Sequence, residues 1–295
     1  MTGKADILAG IAPDAPVLIA GPTASGKSDL ALAIAEAQGG RVINADALQV
    51  FSDWRILTAR PDDDDIVRAP HALYGHVPGD RPYSVGHWLR DAAPFLHGER
   101  PIVVGGTGLY FTALTQGLAQ IPPTPPALRA EADARRAAGG IAALLAELDP
   151  ESAARIDRAN PMRVQRAWEV LRATGEGIAR WQDRTGPPLL PLGGVTAIVL
   201  SPDRNALAAR IDRRFQAMLG AGLMDEVARN APGFAPDLPS SKAIGAADLV
   251  SCHRGEITLD EAGARLCTLT RQYAKRQRTW FRSRMAEWKW IDPGP

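Results

Sequence analysis

Gly21-Pro22-Thr23-Ala24-Ser25-Gly26-Lys27-Ser28 is a complete G-x-x-x-x-G-K-[ST] pattern. Its glycines let backbone N–H groups turn inward around phosphate oxygens, Lys27 supplies a point charge, and Ser28 can ligate magnesium. The chemistry predicted is therefore the holding of a di- or triphosphate. Which reaction follows depends on what stands beside the loop. Asp46, in Asn44-Ala45-Asp46-Ala47-Leu48-Gln49, could be a magnesium ligand, a general base or the cap of the next turn. Gly105-Gly106-Thr107-Gly108 is a weaker glycine motif that would bring the Thr107 hydroxyl near the phosphates.

A second chemistry lies near the carboxyl end. Arg271, Lys275, Arg278 and Arg282 recur at spacings of four, three and four, which puts them on one helix face, with Leu266, Leu269, Tyr273 and Trp280 as another stripe. Between Gly263 and Trp290 there are eight basic residues and one acid, Glu287. Such an excess in a chain of net charge +1 favours a polyanionic partner over a merely solvated face. The five histidines show no i, i+4 pair and no neighbouring cysteine, so a transition-metal site is not expected. Ser84 lies in no nucleophile elbow.

These residues need a scaffold. Val17 to Ala20 reads as a buried strand, the phosphate-loop pattern as its exit, and Leu30 to Ala37 as the helix that follows. Val42 to Ala45, Ile102 to Val104 and Val195 to Leu200 are further buried strands. His71 and His76 fall in a loop, and so does the acidic run Asp62 to Asp65. Asp203 is placed to cap one helix, and Thr258 with Glu261 to open a final long one through a capping box. Strands alternating with helices predict an α/β fold, a P-loop core with a mostly parallel sheet flanked by helices. The stretch from Ile121 to Leu192, bounded by proline clusters and without a convincing strand, reads as a helical insertion. The expected domains are thus 1–120 with 193–295 as the core, and 121–192 as the insertion.

Composition narrows the class. With 295 residues, 45% hydrophobic and 23% charged, the chain can build a large core, and disordered and fibrous classes are excluded. Two cysteines, Cys252 and Cys267, give no disulfide framework and suit a reducing cytoplasm. No run reaches the ~18 apolar residues of a membrane span, and Asp6, Pro13, Asp14 and Pro16 interrupt any signal-peptide pattern. Neither a membrane association nor an obligate oligomer is expected.

In combination the motifs resemble the tRNA dimethylallyltransferase family. The residues carrying the resemblance are the phosphate loop, Asp46 to Gln49, Thr58-Ala59-Arg60-Pro61, Pro82-Tyr83-Ser84-Val85, Gly105 to Tyr110, Arg163 to Val170 and Thr270-Arg271-Gln272-Tyr273-Ala274-Lys275-Arg276-Gln277. They run in order over nearly the whole chain, and the last is the most specific. The resemblance implies a bacterial-type enzyme that transfers a dimethylallyl group from dimethylallyl diphosphate to N6 of adenosine 37, in tRNAs reading codons that begin with U. It implies Mg2+ as cofactor, held at Ser28, and the anticodon stem-loop as the part gripped.

Carried over by position, Asp46 takes or orients the N6 proton, Thr107 touches the diphosphate, and Arg214 clamps it as the third catalytic residue. Gln49 reads the flipped base. The tRNA contacts implied or inferred are Asp46, Ala47, Leu48, Gln49, Thr107, Arg129, Met162, Arg163, Val164, Gln165, Arg166, Arg271, Lys275 and Arg278. The chain departs from the family pattern at Ala246, where a tyrosine is common, at Ala159-Asn160-Pro161, and at Arg60, where lysine is usual. A small-molecule P-loop kinase would share the loop but not need the basic stripe. An adenylate isopentenyltransferase would share the chemistry but act on a free nucleotide.

Overall fold

The computed structural model describes residues 4–294, with side chains from Ile7 onward. In chain order its first elements are α1 (Lys4–Ala9), β1 (Val17–Ala20), α2 (Lys27–Gln38), β2 (Arg41–Asn44), α3 (Arg55–Thr58), α4 (Asp63–Arg68), β3 (His71–Ala72), α5 (Val85–Ala92), β4 (Pro101–Gly105) and α6 (Gly108–Gln116). There follow α7 (Pro126–Leu145), α8 (Pro150–Arg155), α9 (Pro161–Thr174) and α10 (Ile178–Asp183). The last are β5 (Thr196–Leu200), α11 (Arg204–Gly220), α12 (Leu223–Asn230), α13 (Ala246–His253), α14 (Leu259–Arg284) and β6 (Lys289–Ile291).

Contacts divide the chain into two units, residues 1–115 with 189–295, and residues 116–188. The first unit is built on a six-stranded sheet of order β3-β2-β4-β1-β5-β6, and every pairing between these strands is parallel. The α/β class with a mostly parallel sheet is as expected. β1 alternates its side chains between two cores. Leu18 and Ala20 join Ile43, Val103, Trp88, Phe111 and Phe281 on one face, while Val17 and Ile19 join Leu30, Ile34, Val42, Ile102 and Ile198 on the other. Burial on both faces is why these strands read as continuous apolar runs rather than alternating ones.

The strand order has a functional consequence. From β1 the chain passes through α2 to β2, on the far side of β4, whereas β5 lies on the opposite side of β1. A crevice therefore opens at the carboxyl ends of β1 and β4, where ligands bind in open sheets of this kind. The break in the unit is closed by backbone: the Leu190 N–H donates to the Leu114 carbonyl at 3.0 Å.

The second unit is helical. α9 packs on α7 around Ala132, Leu144, Val164 and Trp168, with the guanidinium carbons of Arg135 and Arg172 at 5.3 and 5.5 Å from the Trp168 ring centroid. Asn160 caps α9, accepting from the N–H groups of Met162 and Arg163.

Several local expectations are corrected. His71 lies in strand β3 rather than in a loop, and β6 is an additional edge strand. The acidic run is the start of α4, because the Asp62 carboxylate accepts from the Asp65 N–H and makes a helix cap. Leu269 points outward at 40% exposure instead of continuing the packed stripe of α14. The capping box of Thr258 and Glu261 and the Asp203 cap of α11 form as expected. No helix among the described residues is long and apolar enough to cross a membrane.

Candidate functional site

The phosphate loop leaves β1 and enters α2 with Ala24 at φ 61° and Gly26 at φ 85°. Left-handed residues separated by ordinary ones make the successive N–H groups point into one concavity, an anion nest. No side chain caps α2 at Gly26, so the orphan donors of its first turn remain for an anion. The Thr23 N–H is already committed, to Oε1 of Gln277 at 3.0 Å. Lys27 is half-buried, its Nζ 3.4 Å from the Pro22 carbonyl. Burial pushes its pKa down to about 8, Asp46 opposes that shift and Arg214 adds to it.

Asp46 sits past the end of β2. Its N–H donates to Asn44 Oδ1 at 2.8 Å, and its Oδ1 accepts the Leu48 N–H at 3.0 Å. One carboxylate oxygen thus caps the next turn, while Oδ2 is the nearer to Gly106. Capping and chemistry need not compete, since they use different oxygens. Asn44 is itself anchored, donating Nδ2 to the Leu73 carbonyl and accepting the Trp88 Nε1–H at its own carbonyl.

Thr107 comes from the turn after β4. Its N–H donates to the Ala45 carbonyl at 3.1 Å and its Oγ1 accepts the Ala47 N–H at 2.9 Å. With the oxygen engaged as acceptor, the hydroxyl proton is left to donate to a ligand. Arg214, from α11, gives Nη1 to Thr23 Oγ1 at 3.2 Å and Nη2 to the Thr58 carbonyl at 3.3 Å. Burial lowers its pKa, Asp46 opposing; it stays cationic at neutral pH because an arginine starts so high. Gln49 donates Nε2 to the Thr58 and Ala59 carbonyls, each at 2.9 Å, which leaves its Oε1 as an acceptor.

Thr23, Asp46, Thr58, Arg214, Thr270 and Tyr273 form the polar part of an open cleft of about 590 Å³. Its other wall is apolar: Leu48, Leu57, Ile211, Phe215, Met218, Ile244 and Leu266. Lys27, Ser28 and Thr107 stand outside this lining. A group with an anionic head and a short hydrocarbon tail matches both walls. No group of three His, Cys, Asp or Glu side chains among the described residues could hold a metal ion.

Two family models match the chain: IPP transferase over residues 49–284 and isopentenyl transferase over residues 16–71. A tRNA dimethylallyltransferase of Cereibacter sphaeroides is 61% identical, the match spanning 94% of this chain and 89% of that protein. The chain belongs to the tRNA dimethylallyltransferase family. Its relative of the same name from Paracoccus denitrificans is 57% identical over the full length of both. Among solved structures, the tRNA isopentenylpyrophosphate transferase of Bacillus halodurans is similar with a TM-score of 0.66 and 32% identity, over 95% of this chain and 90% of that one.

Further side chains at the site have contacts that the motifs do not reveal. Gln277, Tyr273 and Thr270 turn their side chains to the site, at helical spacing on the buried side of α14, between the exposed cations. Glu226, 3% exposed, receives the N–H groups of Arg55, Ile56 and Leu57 at 2.6, 2.8 and 2.9 Å, and so caps α3 from α12. The 3-4 spacing of Thr270, Tyr273 and Gln277 could have been read from the sequence. Nothing local marks Glu226.

The candidate RNA contacts divide. On α14, Lys275 is exposed, Arg278 is half-buried with Arg282 and Arg204 near it, and Arg271 is paired with Asp212 at 2.6 Å. In the helical unit Met162 is 65% exposed, and Arg163 is exposed with no side-chain partner among the described residues. Arg129 lies 3.8 Å from Glu169, and Arg166 gives Nη1 to Thr124 Oγ1 at 2.6 Å. Val164 and Gln165 are corrections: they face inward, Val164 fully buried and Gln165 bonded through Nε2 to Asp133 and Glu169. Five consecutive residues of one helix do not all face outward, and of this stretch Met162, Arg163 and Arg166 are the ones whose side chains reach the surface. Ala246 is wholly buried at the start of α13, where a larger side chain would need the core to yield.

Proposed function

We propose that this protein transfers a dimethylallyl group from dimethylallyl diphosphate to N6 of adenosine 37 in tRNAs reading codons that begin with U, releasing diphosphate. The observation that carries this reading is one cleft whose lining joins Thr23 of the phosphate loop, Arg214 and Asp46 to a set of apolar side chains. A nucleotide kinase would need the nest but not an apolar wall beside it.

The nest N–H groups, Lys27 and Arg214 bind the diphosphate, Thr107 donates its hydroxyl to it, and the apolar wall orients the allylic tail. Bond formation joins N6 to the allylic carbon as the carbon–oxygen bond breaks, and that electron pair leaves with the diphosphate. Cations aimed at oxygens that gain charge stabilise this step. The N6 proton passes to Asp46 Oδ2, and Gln49 Oε1 accepts from the extruded base.

The donor set fits magnesium: an exposed hydroxyl at Ser28, beside the phosphate loop, suits a hard cation that keeps waters and takes substrate phosphate oxygens as ligands. When bound at Ser28, Mg2+ would neutralise the leaving diphosphate. The anticodon stem-loop would be held through phosphate contacts from Lys275, Arg278, Arg129 and Arg163. Free thiols at Cys252 and Cys267 accord with a reducing cytoplasm, where the protein would work as a monomer.

The test is incubation with labelled dimethylallyl diphosphate, magnesium and either bulk tRNA or AMP, followed by nucleoside analysis. Label in N6-(dimethylallyl)adenosine from tRNA supports the reading; label only in AMP makes the protein an adenylate isopentenyltransferase, and no transfer to either sinks it.

A further inference from the structure

Gln277 of α14 is 5% exposed, and its amide spans two loops that are far apart in sequence. Oε1 accepts the Thr23 N–H of the phosphate loop at 3.0 Å. Nε2 donates to the Gly106 carbonyl, in the turn that carries Thr107, also at 3.0 Å. The amide's orientation follows from chemistry: an N–H can be met only by the oxygen and a carbonyl only by the nitrogen. Gly106 is fitted to this bridge, because a Cβ there would lie 2.2 Å from Gln277 Nε2.

We propose that Gln277 is a positioning residue which fixes the distance between the phosphate loop and the Thr107 turn, so that both engage one diphosphate. Gln277 does not line the cleft itself. Without the bridge, the loop after β1 and the turn after β4 lose this direct tie, and the Thr23 N–H and Gly106 carbonyl lose their partners. The identity of the substrate rests on the transfer reading above; the bridge itself is a matter of this chain's own bonds.

Gln277→Glu tests this through pH. As a carboxylate it still accepts from Thr23 but turns a lone pair on the Gly106 carbonyl, with Asp46 close by. As a neutral acid it has one O–H donor and one carbonyl acceptor, the same pair the amide offers. Burial and the neighbouring Asp46 raise the acid's pKa, so lowering the pH restores the bridge. Lys27, Asp46, Arg214 and Tyr273 are common to both proteins, and the variant-to-wild-type ratio isolates position 277.

The measurement is inorganic diphosphate affinity by calorimetry, from pH 5.5 to 8.5, with kcat/KM for transfer alongside. At high pH the variant should bind diphosphate about 10- to 100-fold more weakly than wild type, the range set by an unsatisfied buried group. At pH 5.5 the gap should close to about 3-fold, since the donor lost in the carboxylate is restored. Gln277→Met, which can make neither bond, should show the high-pH defect at every pH, with tRNA affinity unchanged. A purely structural role would lower the melting temperature while leaving affinity per folded molecule intact. Wild-type diphosphate affinity in folded Gln277→Met, or a Glu-variant ratio that does not change with pH, overturns the proposal. Failure of wild type to transfer while it still binds diphosphate would count against the transfer reading and not against the bridge.

Discussion

Replacing Glu226 by glutamine should damage the site from a distance. α3 begins at Trp54, whose side chain accepts nothing, so its first-turn N–H groups depend on Glu226, with Arg55 and Ile56 on Oε1 and Leu57 on Oε2. An amide has one oxygen, so at least one of the three N–H groups would face an NH2. A buried donor left unmet costs about 1–3 kcal/mol, and the surviving bonds weaken from charge-assisted to neutral. The sum is about 2–4 kcal/mol for one nitrogen-for-oxygen exchange at constant volume. The other end of α3 holds the Thr58 carbonyl, which receives Gln49 and Arg214. Loosening α3 therefore releases two site residues at once. Urea unfolding followed by tryptophan fluorescence should show the loss, and kcat/KM for transfer should fall by more than tRNA affinity does. A Glu226→Gln protein within 0.5 kcal/mol of wild type, by the ~1 kcal/mol scale of ordinary neutral bonds, would refute the idea that this carboxylate anchors α3.

Asp46→Asn should lower single-turnover transfer by ~10²–10⁴-fold with little change in tRNA affinity, as expected of a general base; a normal rate with a lowered melting temperature would leave Asp46 as a cap alone. Because Lys27 has a pKa of about 8 in the unliganded protein, it is charged below that pH and neutral above it. Diphosphate affinity should therefore weaken as pH rises through 8, and Lys27→Ala should bind weakly with that dependence removed; parallel pH curves for the two proteins would contradict it. Arg163→Ala and Lys275→Ala should each weaken tRNA binding and reduce the log-log salt slope by ~1, measured by filter binding between low and moderate salt; unchanged slopes would return both residues to the solvated surface.

Central features were legible because they are local. A strand buried on both faces leaves an unbroken apolar run such as Val17 to Ala20, and a phosphate loop has an obligatory spelling. The edges were not. β3 has two residues and β6 three, with Lys289 exposed, too short and too polar to differ from loop. Asp62 to Asp65 looked like a solvated run because four like charges hide a helix cap. In the site, Asp46, Thr107 and Gln277 lie in motifs the sequence shows and Arg214 follows from the resemblance, but the partners of Glu226 and Gln277 are not written locally. These two act on backbone about 170 to 254 residues away, a separation at which the fold alone decides who meets whom.

The hydrogen bond between Leu190 and Leu114 makes residues 116–188, topologically, a loop. Closing a long loop costs free energy that grows only with the logarithm of its length, and here the backbone supplies the closure on the sheet side. The same junction gives evolution a cassette: the helical segment can lengthen, shorten or be exchanged without shifting the register of any strand. The sheet unit and the helical unit are thereby free to change at different rates within one chain.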